Sequence, residues 1–346
     1  MIKNGEVAVR RQSGLPETRG LDRGLTEEAA LLVERGLAAN TSLAYARDWT
    51  TYGAWCDESG HALLPATAET LANYVAHLAA RAYAPASIDR ALACILAAHD
   101  HAQLGKPATK QARLALRVYR RERAHQGRRT RKSPPITIDR LRAMISSLPS
   151  TSTTGLRDRA VLVLGFALMG RRSELVACDI GDLTFTVDGL EVYIPTSKTD
   201  QDAHGETVAL PHGSHPETCP VRVLKAWLAV LAERGVTSGA LLRPVDRHGG
   251  IGGATKSAGR GSRQRLSGQT INLIVKNAAA LAGLDRPETY TAHGLRAGGA
   301  TSAAKAGAPM SAITTHGRWA DGSPVVAGYI RQADKWNDNP MRGVGL

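Results

Sequence analysis

Apolar residues fall three and four positions apart along most of this chain and alternate with polar ones in one short stretch. Between Thr41 and Ser59, Leu43, Ala46, Trp49, Tyr52 and Trp55 share one face at helical spacing, and Asn40 or Thr41 is placed to cap that helix. Leu71, Tyr74, Val75 and Leu78 predict a second helix over Thr67–Arg81. Ile88, Leu92, Ile95 and Leu96 predict a third over Pro85–Gln103, with proline at its start and Gly105 just past its end. A fourth runs over Lys110–Arg123. Beyond two prolines a second set begins: a helix opening at Thr137, an apolar one over Leu156–Met169, then short strands Leu183–Thr186, Leu190–Pro195 and Thr207–Leu210. Gly189 and the polar run from Ser197 to Gly205 read as turns between them. Helical spacing returns over Pro220–Gly235, Gln269–Ala282, Gly298–Ala306 and Met310–His316, with a Gly-, Ser- and Arg-rich loop over Asp246–Gly268. The pattern predicts a mainly α protein with a small antiparallel β-sheet in its second domain. The expected division is a flexible arm at residues 1–26, a helical domain at 27–123, a basic linker at 124–135 and a second domain at 136–346.

Composition sharpens this picture. Apolar residues make up 43% of the 346 positions, enough for a sizeable core, but aromatics are only 4%, so the core is built mostly from Ala, Leu and Val. The formal charge is +13. Such a charge repels itself in a compact state unless a polyanion offsets it, which points to nucleic acid first and an anionic membrane surface second. The basic residues are concentrated: from Lys110 to Lys132 there are ten Lys or Arg against one Glu. No run of about 18 apolar residues occurs, which argues against a membrane span. The first 24 residues lack the apolar stretch of a signal peptide, and the expected location is the cytoplasm. Cys56, Cys94, Cys178 and Cys219 are scattered and read as free thiols, and the eleven histidines show no metal-ligand spacing.

Five separated pieces of the second domain carry chemistry. They are Arg171-Arg172-Ser173-Glu174-Leu175 after the apolar helix, Lys198 between two strands, His293-Gly294-Leu295-Arg296, His316-Gly317-Arg318-Trp319, and Tyr329 within Gly328-Tyr329-Ile330-Arg331. Phosphoryl transfer spreads charge over equatorial oxygens, and two arginines, Arg171 and Arg296, can clamp those oxygens with planar forks. Arg171 is preferred to Arg172 because it stands two before Ser173. A free tyrosine ionises near about 10 and needs a base or nearby cations to act as a nucleophile at neutral pH. His293 is the candidate for that acid–base work, and Lys198 for protonating a leaving oxygen. No carboxylate cluster suited to Mg²⁺ is apparent, so neither metal nor other cofactor is expected.

In this order and spacing the pieces resemble the tyrosine recombinase, or phage integrase, family. Its pattern is Arg-x-Ser-Glu-Leu, a hairpin lysine, His-x-x-Arg, His or Trp, and a nucleophilic tyrosine about ten residues on. The likeness runs over roughly residues 35 to 340 and is nearest to Cre-like members, through Ala54-Trp55-Cys56, Arg81 to Pro85, and His293 to Asp334. The resemblance implies a two-domain clamp, a helical SAM-like core-binding domain plus an α+β catalytic domain. It implies site-specific DNA cleavage and rejoining through a 3′-phosphotyrosine at Tyr329, with neither metal nor ATP. Glu174 then orients the cluster and Trp319 packs beside the phosphate. The implied partners are double-stranded DNA with paired inverted-repeat sites, and a homotetramer spanning two of them. Three departures stand out. The family's Leu-Gly-His is absent, so His316 competes with Trp319 for that role. The Trp319–Tyr329 spacing is one residue long, with Asp321 to Pro324 as the expected bulge. The loop before Gln269 is longer than usual.

For DNA contacts, Ser87 and Arg90 lie on the third helix, which resembles a major-groove helix, and Arg90 has the chemistry to read a guanine edge. Arg117, Arg120, Arg121, Arg128, Arg129 and Lys132 are assigned to phosphates, as are Arg263 and Arg265 from the later loop. Two other readings share some of these features: a type IB topoisomerase-like relaxing enzyme with the same nucleophile, and a DNA-binding protein without catalysis.

Overall fold

The computed structural model describes residues 39–128, 133–196, 204–253, 264–320 and 322–334, with 339, 341, 342 and 344. The expected N-terminal arm, Lys198, Arg129, Lys132, Arg263 and Asp321 lie outside the described residues. The chain divides into two compact units, one ending at Thr130 and the other beginning at Arg131.

The first unit holds helices α1 (Ala39–Ser59), α2 (Ala68–Ala80), α3 (Pro85–His101) and α4 (Lys110–His125). Most of the apolar stripes seen in the sequence meet in one core, where Tyr52, Leu71, Tyr74, Ile88, Ile95 and Leu116 are all but fully buried, whereas Leu43 and Ala46 of the expected α1 face are exposed and Leu96 is only partly buried. Asn40 and Thr41, expected to cap α1, are already part of it. Thr67 does cap α2, its hydroxyl accepting the Thr70 N–H at 3.1 Å. His99 is fully buried. Its Nε2 lies 3.0 Å from the Ala66 N–H donor and its Nδ1 2.8 Å from the Ile95 carbonyl. That pairing fixes a neutral imidazole protonated on Nδ1.

The second unit contains α5 (Ile138–Ser146), α6 (Thr153–Ala167), α7 (Arg172–Ala177), strands β1 (Leu183–Phe185), β2 (Gly189–Ile194) and β3 (Glu206–Pro211), then α8 (Pro220–Glu233), α9 (Gly268–Leu281), α10 (Ala292–Lys305), α11 (Met310–His316) and α12 (Pro324–Asp334). The strands form one antiparallel sheet in sequence order, with Leu190 opposite Leu210 and Val192 opposite Val208. Alternation sends these four side chains and Ile194 into a core shared with Leu224 and Trp227 of α8. Gly189 is not a turn residue as expected but the first of β2, where a β-carbon would collide with the backbone of Leu210 and Pro211. Gly268, expected in a loop, is the first residue of α9, capped by Ser267 through the Thr270 N–H at 3.1 Å.

The largest departure is α10, which starts at Ala292, six residues before the expected Gly298. Gly294, Gly298 and Gly299 weaken local helix propensity, but tertiary packing overrides it. The missing side chains let the segment from Ser133 to Ile138 lie directly on the helix: the Ile136 N–H donates to the Gly294 carbonyl at 2.8 Å, and the Ile138 N–H to the Ser302 hydroxyl at 3.1 Å. His293 and Arg296 therefore stand on a rigid first turn.

Candidate active site

The site is organised around the C-terminus of α6. A helix end leaves carbonyls without intrahelical partners and carries a partial negative charge. Here three consecutive carbonyls each take a donor from another segment. The His316 Nε2 reaches the Ala167 carbonyl at 2.7 Å, Arg318 Nη2 the Leu168 carbonyl at 3.3 Å, and Arg296 Nη1 the Met169 carbonyl. Met169 turns left-handed, with φ 47°, and delivers the chain to Arg171 at the head of α7.

Glu174, on the first turn of α7, is buried beneath this corner. Its Oε2 accepts the Arg171 N–H at 2.8 Å and Arg318 Nη2 at 2.8 Å, while Oε1 accepts Arg171 Nη1 at 2.7 Å. Arg171 Nη2 in turn donates to the Arg318 carbonyl at 2.8 Å. Burial works against ionising Glu174. The Arg318 charge and the hydrogen bonds from Arg171 and Arg318 outweigh it and hold the carboxyl below its usual range.

An open cleft of about 510 Å³ lies in front of this network, lined by Gly170, Arg171, Arg172, His293, Arg296 and Trp319 among others. Arg296 is buried at 4% exposure, with its guanidinium 3.8 Å from the Trp319 ring. Burial, then the neighbouring Arg171, push Arg296 below its ordinary value. Among the described residues its Nη2 has no hydrogen-bond partner. Beside His293, half-buried Tyr329 presents its hydroxyl 2.8 Å from His293 Nε2, and its ring lies 6.1 Å from that of Trp319. Burial raises the Tyr329 phenol above its ordinary value and the Arg296 charge opposes the rise. The arrangement presents cations to an anion, with a phenol and an imidazole beside it. Among the described residues no group of three or more His, Cys, Asp or Glu side chains is placed to hold a metal ion.

Glu174, His293, Arg296 and Tyr329 thus come together from three helices, with Arg171 and Trp319 from the segments between helices. Lys198 lies outside the described residues. His316 bonds to the end of α6, and Trp319 lines the cleft. Gly322, with φ 69°, makes the turn before α12 where the bulge was expected. Two further residues carry no chemical signal of their own in the sequence. Arg318 stands inside a motif whose expected chemistry belongs to His and Trp, and Asn272 holds the first turn of α10 by accepting the Ala292 N–H at 3.0 Å. Among the expected DNA contacts, Arg117, Arg121 and Arg128 are exposed, and Ser87 is partly so. Arg90 forks onto Asp48 at 2.7 and 3.0 Å, and Arg120 pairs with Asp89. Arg265, expected on phosphates, instead holds the end of α7 through the Val176 and Ala177 carbonyls, at 2.6 Å each, and Asp179 at 2.5 Å.

Residues 136–335 match the model of the phage integrase family, and residues 28–103 that of the phage integrase N-terminal SAM-like domain. The integrase/recombinase xerD homolog of Selenomonas ruminantium is 35% identical over 321 residues, covering 92% of this chain and 89% of that protein. The recombinase cre of Escherichia phage P1 is 24% identical, over 84% of this chain and 83% of its own length, so Cre is a more distant relative than the sequence suggested. The fold is shared with a lambda integrase dimer bound to a COC' core site, at TM-score 0.56 and 17% identity over 87% of this chain and 92% of that one. It is shared equally with the XerH site-specific recombinase bound to palindromic difH substrate, at TM-score 0.56 and 16% identity over 87% and 78%. Among the described residues no helix is long and apolar enough to cross a membrane.

Proposed function

Because the chain belongs to the phage integrase family of tyrosine recombinases, enzymes that break and rejoin DNA, we propose that it is a site-specific recombinase whose nucleophile is Tyr329. The phenolic oxygen attacks the scissile phosphorus, a P–O bond to Tyr329 forms, and the bond to the 5′-oxygen breaks. A 3′-phosphotyrosine is left. In the second half the 5′-hydroxyl of a partner strand attacks the same phosphorus and expels the tyrosine. One phosphoester replaces another in each half, so no ATP is consumed, and the fixed guanidinium groups do the work otherwise given to a metal ion.

The observation that carries this reading is the 2.8 Å contact between the Tyr329 hydroxyl and His293 Nε2 on the rim of a cleft lined by Arg171 and Arg296. The phenol is not ionised beforehand, since burial raises it. His293 therefore takes its proton as the new bond forms. The unpartnered Nη2 of Arg296 fits an oxyanion, because a buried guanidinium N–H is costly until it is bonded. Arg171 supplies the second donor pair, with Glu174 orienting it, and Trp319 holds the face of Arg296. Lys198 is assigned to protonating the leaving 5′-oxygen.

The substrate is double-stranded DNA, with Ser87 on the helix assigned to the major groove and Arg117, Arg121, Arg128, Arg129, Lys132 and Arg263 on or beside the backbone. The relatives support this reading, since the lambda integrase and XerH structures are complexes with DNA sites, the latter palindromic. Paired inverted-repeat sites, a homotetramer over two of them and action in the cytoplasm complete the proposal. The test is a nicked suicide duplex incubated with the protein in chelator. A covalent protein–DNA adduct should form and should vanish in Tyr329→Phe. An adduct that persists in Tyr329→Phe refutes the assignment.

A further inference from the structure

Arg318 stands in a costly place. Its backbone is left-handed at φ 55°, a region that disfavours any residue with a β-carbon, and its side chain is 1% exposed. Four of its contacts fix its place, and two of them bear on one neighbour, Arg171. Its Nη2 holds Glu174 Oε2 at 2.8 Å and the Leu168 carbonyl at 3.3 Å, and its Nη1 holds the His316 carbonyl at 2.9 Å. Its own carbonyl accepts Arg171 Nη2 at 2.8 Å. The other anchor of Arg171 is Glu174 Oε1, at 2.7 Å. Both terminal nitrogens of the cleft arginine are thus held by Arg318, one through its main chain and one through the carboxylate it grips.

The charges make the same point. Arg171 and Glu174 alone form a neutral pair, which has little attraction for a phosphate. The charged groups facing Glu174 are Arg171, Arg318 and, at longer range, Arg296. With Arg318 added, the buried carboxylate is shared between two cations and the trio carries one net positive charge. That leaves Arg171 an effective cation at the cleft wall, in a position it cannot leave.

We propose that Arg318 is a positioning residue for strand cleavage: it locks Arg171 toward the cleft and cancels the Glu174 charge that would otherwise neutralise Arg171. The proposal rests on the assignment of Tyr329 and Arg171 above and goes beyond it, since Arg318 itself does not line the cleft.

The full-length protein is compared as wild type, R318G, R318K, the double variant E174Q/R318G, and Y329F. DNA affinity is read by gel shift, and adduct formation on the suicide duplex at saturating protein. Glycine accepts the left-handed backbone. R318G should bind DNA within about threefold of wild type but form adduct roughly 100-fold more slowly, the scale of losing one preorganised charge contact. R318K, which keeps the charge, should recover part of that loss. The decisive variant is E174Q/R318G. Removing the carboxylate charge restores a full cation at Arg171, so the double variant should cleave at least about tenfold faster than R318G. A merely structural role predicts the opposite, since a second buried group is lost. If R318G does not fold, R318M and E174Q/R318M, which fill more of the vacated volume, make the same comparison. A folded single variant with the wild-type rate overturns the proposal, as does a double variant no faster than the single one. An adduct surviving in Y329F defeats the parent assignment, whereas its loss there beside a wild-type R318G rate defeats only the role of Arg318.

Discussion

Replacing Gly298 with alanine sets two physical effects against each other. Helix propensity alone favours Ala over Gly by about 1 kcal/mol in a helix interior. Packing says the reverse. A β-carbon on Gly298 would overlap the Ile136 carbonyl and sit 2.8 Å from its nitrogen, well inside ordinary carbon contact. The obstacle is backbone, so no rotamer change relieves it. The segment through Ile136 must lift by roughly 1 Å, straining the Ile136 N–H bond to Gly294 at 2.8 Å and the Ile138 N–H bond to Ser302 at 3.1 Å. Two lost hydrogen bonds cost about 1 kcal/mol each, overpacking adds about 1–3, and the propensity gain returns about 1, leaving a destabilisation of about 2–4 kcal/mol. Hydrogen exchange of α10 and α6 peptides in the full chain measures this without assuming that the two units unfold together. Amides there should exchange roughly 30- to 1,000-fold faster in G298A, and adduct formation should slow because His293 and Arg296 ride on the displaced helix. Exchange that is unchanged or slower would refute the reasoning, because propensity would then have won.

Trp319→Ala removes the ring stacked 3.8 Å from the Arg296 guanidinium. A desolvated cation–π contact contributes about 2 kcal/mol, so adduct formation should fall roughly 30-fold while the gel-shift affinity changes little. Glu174→Gln should destabilise the catalytic unit at pH 7 by about 3 kcal/mol, the scale of breaking a buried charge pair. The folded carboxyl lies below its unfolded value. Its contribution is therefore present above the unfolded carboxylate range and lost as pH falls through the folded value, so wild type and variant should converge in acid, as read by exchange of α7 amides. All four cysteines are buried, with Cys94 pushed up to about 11 and Cys178 to about 12 by burial. Native protein should resist a thiol reagent at pH 8 and react at all four only when unfolded.

Much of the fold was legible because burial leaves a period. The α1 to α3 stripes name most of the residues that meet in the first core, though not Leu43, Ala46 and Leu96, and alternation through Leu190, Val192 and Ile194 names the sheet face that α8 covers. The failures share one cause. Gly189 reads as a turn, and the helix that begins at Ala292 and carries Gly294, Gly298 and Gly299 reads as beginning only at Gly298, because a bare backbone carries no hydrophobic signal. In the folded protein each of these glycines is bare because another backbone lies against it. A glycine that breaks a pattern and a glycine that admits a neighbour look alike until the neighbour, here Ile136 some 160 residues earlier, is in place.

The site divides along the same line. Arg171, His293, Arg296 and Tyr329 were legible as an ordered set, since each supplies a distinct chemical need of phosphoryl transfer. Arg318 was not, because it supplies none of those needs directly. Its meaning is set by Arg171 and Glu174, which lie 147 and 144 residues away. What gathers these groups is the end of α6. Its last carbonyls draw His316, Arg318 and Arg296 to one corner, in the field of a helix terminus that favours cations. Three guanidinium groups, Arg171, Arg296 and Arg318, stand there against one buried carboxylate, Glu174. The corner is thus left positively charged, and among the described residues Nη2 of Arg296 has no acceptor. A compact protein keeps such an imbalance only at a cost in its own stability, which a bound phosphate offsets. By that argument the cleft is adapted to an anion, and the tyrosine beside it to what is done to that anion.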